Sequence, residues 1–244
     1  MSLRLYRHLL GQTLRGKRLL GAGALASVAG IAAWVSMAGV DTEQTADIYR
    51  TVTASVPAAT LSIALLIVAS ATLRDERDGG TLPYVFITPM SATGFAVSAT
   101  AAAVTATLAI TLIGWIPGWI GSWIITGSWD VAVPALALYG IAAAGYAAAF
   151  VPLGYLFDRS LIIGLAYIFV WEGILATVVA GITPSSIWRI AMSAYADVDE
   201  LPPDALDMLG TVTPGKWGAV ATIVVLVGVG TTVLGWAVRT RDAV

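Results

Sequence analysis

Glu172 is the one acidic or basic residue that lies well inside any of the long apolar runs of this 244-residue chain. A carboxylate held in a bilayer is costly when ionised, so it must be protonated, paired, or turned toward a water-filled space. One reading has Glu172 hydrogen-bond a neighbouring helix, or cap a helical loop near Arg189. The other has it line a translocation path. Neither reading is catalytic. An intramembrane protease needs a serine–histidine, zinc or diaspartyl set inside its spans, and the apolar runs hold no histidine and no aspartate pair. Lipid-synthesising transferases set several aspartates at helical spacing along the inner face, and that pattern is missing too. The paired Asn-Pro-Ala loops of a water channel do not occur. Cysteine is absent, which removes disulfides and thiolate metal sites. The only histidine, His8, lies near the N-terminus, where a lipid headgroup contact is expected rather than a ligand role. The segment Gly11–Lys17 matches G-x-x-x-x-G-K, but a phosphate-binding loop needs Ser or Thr next, and Arg18 stands there. No catalytic residue, metal site or cofactor is therefore expected on this chain.

The elements around Glu172 follow from hydropathy. Apolar residues make up 58% of the chain and charged residues 11%, against about 25% charged in a soluble domain. Six apolar stretches, at roughly 19–38, 52–73, 94–117, 132–157, 160–180 and 217–238, each reach the roughly 20 residues that a membrane-crossing helix needs. The expected fold is all-α and polytopic, a single transmembrane domain over 1–244 with six spans and an N-terminal amphipathic helix. Ser36-Met37-Ala38 resembles a signal cleavage site, yet the apolar run before it exceeds the roughly 7–15 residues of a signal sequence, so that run is expected to stay as the first span.

Basic residues set an orientation. With Met1–Arg18 on one side and six crossings, that side holds Arg4, Arg7, Arg15, Lys17, Arg18, Arg74, Arg77, Arg159, Arg239 and Arg241, while the other holds Arg50, Arg189 and Lys216. The bias predicts cytoplasmic termini. Acidic residues lean to the other side, chiefly at Asp41, Glu43, Asp47, Asp130 and from Asp197 to Asp207.

Two segments on the basic side carry most of the remaining polarity. Residues 2–18 predict an amphipathic helix with Arg4, Arg7, Arg15 and Arg18 on one face and Tyr6, Leu9 and Leu10 away from it. It is expected to lie in the interface, either as a topogenic flank or as an elbow that also touches a cytoplasmic partner. Residues 74–93 open with Arg-Asp-Glu-Arg-Asp, five consecutive charges expected to end span two sharply. Gly79-Gly80 then permits a positive-φ turn, Thr81 can cap a short helix with Pro83 in its first turn, and Pro89 stops it. The loop is either an ordinary charged loop on headgroups or a coupling helix that docks on a cytoplasmic motor.

In order along the chain, Asp75-Glu76, Gly80-Thr81-Leu82 and Pro89-Met90-Ser91 resemble the signature of the type-2 exporter permeases of ATP-binding-cassette (ABC) transporters. Gly16-Lys17-Arg18 resembles the family's basic elbow. The stretch Leu165–Leu175 with Tyr167, Trp171, Glu172 and Gly173 resembles its fifth span, and 184–194 its following loop helix. The likeness covers nearly the whole chain, and it departs at 92–95, where the family's usual basic residues are missing. It implies a six-span permease that pairs with a second copy or a paralogue in a prokaryotic plasma membrane. Two separately encoded ATPase subunits would hold ATP and magnesium and power efflux. It carries Asp75, Glu76, Gly79, Gly80, Thr81 and Pro89 over to the ATPase-coupling region and Glu172 to the fifth-span motif. The alternatives are a membrane anchor or assembly scaffold, and an ATP-independent channel or carrier. Membrane lipids are expected partners and nucleic acid is not. Nothing selects the cargo, although uncharged spans lean toward an amphiphilic or apolar one.

The outer side carries interface residues. Trp115, Trp119 and Trp123 recur every four residues and, with Trp34, Trp129, Trp188 and Trp217, predict an aromatic belt. Pro117 and Gly118 are expected to kink the third span where it ends. Gly114 with Gly118, Gly140 with Ala144, and the small residues from Ala142 to Ala149 offer close-packing faces. In the outer segment 181–216, Thr183-Pro184 is expected to start a short helix through Tyr195, and Asp197 to Asp207 to form an exposed acidic loop.

Overall fold

The computed structural model describes residues 2–79, 90–179, 183–207, 209–210 and 214–241. Helix α1 is Leu3–Thr13, α2 Gly16–Met37, α3 Thr42–Ser55, α4 Pro57–Asp78, α5 Ala92–Thr126 and α6 Ala135–Leu156. Helix α7 runs Ser160–Val178, with its middle, Tyr167–Leu175, wound as a π-helix. After a 3₁₀ turn at Thr183–Ser185 come α8 Ile187–Ala196, α9 Pro203–Asp207 and α10 Gly215–Arg241. Helices α2, α4, α5, α6, α7 and α10 are long and apolar enough to cross a membrane. The protein is an all-α, multi-pass membrane protein, and no strand occurs among the described residues.

Small residues set the packing. In a bilayer apolar side chains gain little by leaving lipid for one another, so close backbone approach and interhelical hydrogen bonds carry the association. Helices α2 and α5 cross at Gly30 and Gly114. A Cβ built on Gly114 would stand 2.7 Å from the Ala26 carbonyl oxygen, and one on Gly30 would meet the backbone of Gly114 and Gly118. Helix α6 carries small residues along much of its buried side, with Ala142, Ala143 and Ala147 sealed from solvent. It takes α4 at Gly154 and α10 at Gly230, two further sites with no room for a Cβ. Thr107 in α5 donates across to the Ala143 carbonyl at 3.1 Å. Gly140, by contrast, faces open space and packs nothing.

Four boundaries differ from the sequence expectation. The amphipathic stretch is two pieces: α1 ends at Thr13, and Gly16, at φ 77°, turns the chain into α2. Arg4 and Arg7 remain exposed on α1, Arg15 falls between the helices and Arg18 belongs to α2, so the four arginines do not share one helical face. The helix is also docked rather than free in the interface. Leu5 and Leu9 are buried, the Ser2 N–H donates to Ser98 Oγ at 2.9 Å, and Tyr6 donates its hydroxyl to Thr105 at 3.1 Å.

The segment expected as an outer loop at 39–51 is mostly helix α3. Thr45, Tyr49 and Thr53 recur every four residues and are buried along one face. The second span begins only at Pro57, which suits the first position of α4. It then runs on through the five charges to Asp78 rather than stopping at them. Helix α5 likewise does not end at Pro117 but continues to Thr126 and closes at Gly127, φ 72°. An interior proline removes one hydrogen bond, and the stacked pair Trp115–Trp119, with Trp115 donating to the Ala132 carbonyl at 2.9 Å, holds the helix on both sides of it. Trp115 and Trp119 are therefore packing residues, and only Trp123 of that stripe is largely exposed.

The acidic segment is partly folded as well. Ser186, not Thr183, caps α8. Asp199 receives both Arg50 Nε at 2.9 Å and Arg50 Nη2 at 2.7 Å, a two-pronged pair that raises the arginine pKa further. That anchor lays Leu201, Ala205 and Leu209 into the core and α9 against α3.

Candidate functional site

Two polar assemblies stand out, one at each end of the bundle. The first is built around Glu172, which the π-helical stretch of α7 turns inward. Its Oε2 accepts the Tyr146 hydroxyl at 2.5 Å, and Tyr146 in turn accepts from Ser62 at 2.8 Å. Its Oε1 lies 3.1 Å from the Trp188 backbone N–H, 3.2 Å from Ser186 Oγ and 3.2 Å from the Tyr167 hydroxyl. One carboxylate thus joins α4, α6, α7 and the first turn of α8. A negative group at a helix N-terminus satisfies an orphan donor and matches the helix dipole. Trp188 completes the tie by donating its ring N–H to the Ala54 carbonyl at 3.3 Å.

Beside this node lies a groove of about 310 Å³. Ala54, Ala58 and Ala59 form one wall; Ile168, Phe169 and Gly173 form the other. Glu172 and Arg189 are its charged residues. Arg189 is 8% exposed, and burial pulls its pKa below the ordinary arginine value while the field of Glu172 pushes it back up.

The second assembly gathers where α1, the start of α2 and the end of α4 meet. His8 Nε2 stands 3.0 Å from Glu76 Oε1, and Arg18 pairs with Asp75. Arg77 donates to the Tyr155 carbonyl at 2.9 Å and reaches Asp158 at 3.0 Å, fastening α4 to the end of α6. His8 is therefore a partner of Glu76, with about half of its side chain still exposed. Glu76 is 2% exposed, so it is not a surface charge offered to another protein; it holds α1 against α4. Gly79 caps α4 at φ −77° and so makes no left-handed turn. Gly80, Thr81, Pro89 and the short helix expected there lie outside the described residues.

This geometry yields a direct test. Glu76→Lys places a cation against His8 in a buried site, while Glu76→Gln keeps an oxygen acceptor. Amide exchange over α1 is expected to rise by roughly ten-fold or more in the lysine variant, the equivalent of an unpaired buried charge, and to stay near wild type in the glutamine variant. Unchanged protection in both proteins would remove the clamp.

The sequence singled out Glu172, Glu76 and both members of the Arg18–Asp75 pair, while His8 and Trp188 were expected in other roles. Tyr146, Ser62, Ser186, Trp188 and His8 carry no motif of their own. Only Ser186, an N-cap type ahead of an apolar run, left a local signal. Among the described residues no three histidine, aspartate or glutamate side chains gather into a metal site. No protein-family model and no curated protein matches the chain.

Proposed function

We propose that this chain is the membrane-spanning permease subunit of an ABC exporter, forming the translocation pathway for a separately encoded cytoplasmic ATPase that binds ATP and magnesium. The clamp at the basic end carries the reading. Acid–base pairs bind α1 and the start of α2 to the last turns of α4, at Asp75 and Glu76, the first residues of the stretch that resembles the family's coupling signature. A force applied to that segment would be passed to α1, α2 and α4 together, since the buried Glu76 ties α1 to α4 and the partly exposed Arg18–Asp75 pair ties α2 to the same turns. At the opposite end, Glu172 fixes the helix between spans five and six to three other elements. Both termini and the loop after α4 are cytoplasmic in this reading, on the basic-residue bias, and the membrane is a prokaryotic plasma membrane. The protein works with a second copy or a paralogue and two ATPase subunits, and has no enzymatic activity of its own.

Affinity purification of the tagged chain from its native membrane tests this. An ATP-hydrolysing subunit should come with it, and cargo should change the hydrolysis rate. Isolation without any ATPase, together with transport that persists when ATP hydrolysis is blocked, would replace the exporter with a channel or carrier.

The orientation has its own check. In this cysteine-free chain, Ser91→Cys should resist a membrane-impermeant maleimide added to intact cells, and Asp204→Cys should react. Outside labelling at position 91 would invert the topology.

A further inference from the structure

Arg189 is an unusual place for a cation. It is buried at 8% exposure. It stands in the first turn of α8, where the helix dipole disfavours positive charge. Its backbone N–H bonds Ser186, but among the described residues its guanidinium has no hydrogen-bond acceptor or ion-pair partner. Glu172 lies in the same groove yet does not serve as that partner, because its two oxygens are taken by Tyr146, Tyr167, Ser186 and the Trp188 N–H. A buried charge without a partner is costly, and the group that would complete it must be an anion presented within the groove.

The walls define the rest of that ligand. They are apolar, and the rim residues Ala59 and Phe169 are exposed on α4 and α7, two of the membrane-crossing helices. A ligand can therefore enter sideways from the acyl phase. About 310 Å³ is at the small end of ligand cavities, enough for a headgroup and the first part of a chain. We propose that the groove binds an anionic phospholipid of the surrounding bilayer, its phosphate forked onto Arg189 and its acyl chain along the alanine wall. Guanidinium and phosphate match in two-pronged geometry. Glu172 already accepts four hydrogen bonds within the protein, so the charge left to be matched in the groove is that of Arg189, and anionic lipid is preferred over zwitterionic. This holds whether or not the chain is a transporter subunit.

Native mass spectrometry of the purified protein, with whatever subunits accompany it, tests the site in neutral detergent. The probes are phosphatidylglycerol and phosphatidylcholine with identical acyl chains, and laurate as a single-chain carboxylate. Wild type should retain phosphatidylglycerol roughly ten-fold better than phosphatidylcholine, the effect of one charge-assisted contact. Arg189→Gln should lose the preference, and Arg159→Gln, at the other end of the bundle, should keep it. Ala59→Phe fills the groove with Arg189 intact and should lose the retained lipid, which keeps the test open should Arg189→Gln fail to fold. Equal retention of the two lipids by wild type overturns the proposal. So does a preference that survives Arg189→Gln or Ala59→Phe, and so does laurate held more tightly than phosphatidylglycerol.

Discussion

Glu172→Leu is expected to lower the apparent unfolding midpoint in detergent by roughly 5–10 °C, which corresponds to about 2–4 kcal/mol of lost stability. The reason lies in what it strands. The Trp188 N–H, 3.1 Å from the carboxylate, sits in the first turn of α8 and has no intrahelical acceptor. Tyr146 can turn its proton back toward Ser62, 2.8 Å away, so it suffers less. Ser186 loses the acceptor that aims its hydroxyl while it caps α8. Glu172→Gln keeps one carbonyl oxygen for Trp188 and Ser186 and an amide that can donate to Tyr146. It should cost about 1 kcal/mol at most. Midpoints measured by size-exclusion chromatography after heating separate the three proteins. If leucine and wild type melt together, the node does not hold the outer helices, and Glu172 is free to act in a pathway.

Gly154→Val is expected to be of similar or greater severity. A Cβ at Gly154 would run into the Ser70 carbonyl, with the carbonyl carbon and Cα of Ser70 both 2.9 Å away. Backbone cannot swing aside as a long side chain can, so α4 and α6 must part. Overpacking of a tight core costs about 1–3 kcal/mol, and separation of two spans that also carry Ser62 and Tyr146 disturbs the Glu172 network. Gly140→Val is the control on the same helix, because nothing lies within 4 Å of the built Cβ. It should leave the midpoint within roughly 2 °C of wild type. Equal loss in both variants would mean that helix propensity, not the α4–α6 contact, sets the cost.

The two glycines show where sequence reading stops. Gly140 and Gly154 lie on the same apolar helix, and hydropathy treats them alike. The small-residue pattern marked α6 as a packing helix, but which glycine meets a neighbour depends on how α4 and α10 cross it. The six spans were legible because roughly 20 consecutive apolar residues have one solution in a bilayer, a helix with its backbone hydrogen bonds closed internally. Glu172 was legible for the same reason, as the residue that violates the rule.

Ends and partners were not legible. Five charges after an apolar run suggest a stop, yet α4 runs on through them, because Asp75, Glu76 and Arg77 find partners on α2, α1 and α6. Pro117 suggests a break, yet α5 passes through it under the grip of its stacked tryptophans. Helix α3 was hidden because its buried side is threonine and tyrosine rather than leucine. Composition and hydropathy by themselves determined that this chain crosses a membrane six times and has one carboxylate to accommodate there. Only the tertiary structure decided what surrounds that carboxylate. Its partners Tyr146 and Trp188 come from the helices on either side of α7, with Ser62 added from α4, and the distances between them are set by helix crossing, which no local pattern encodes.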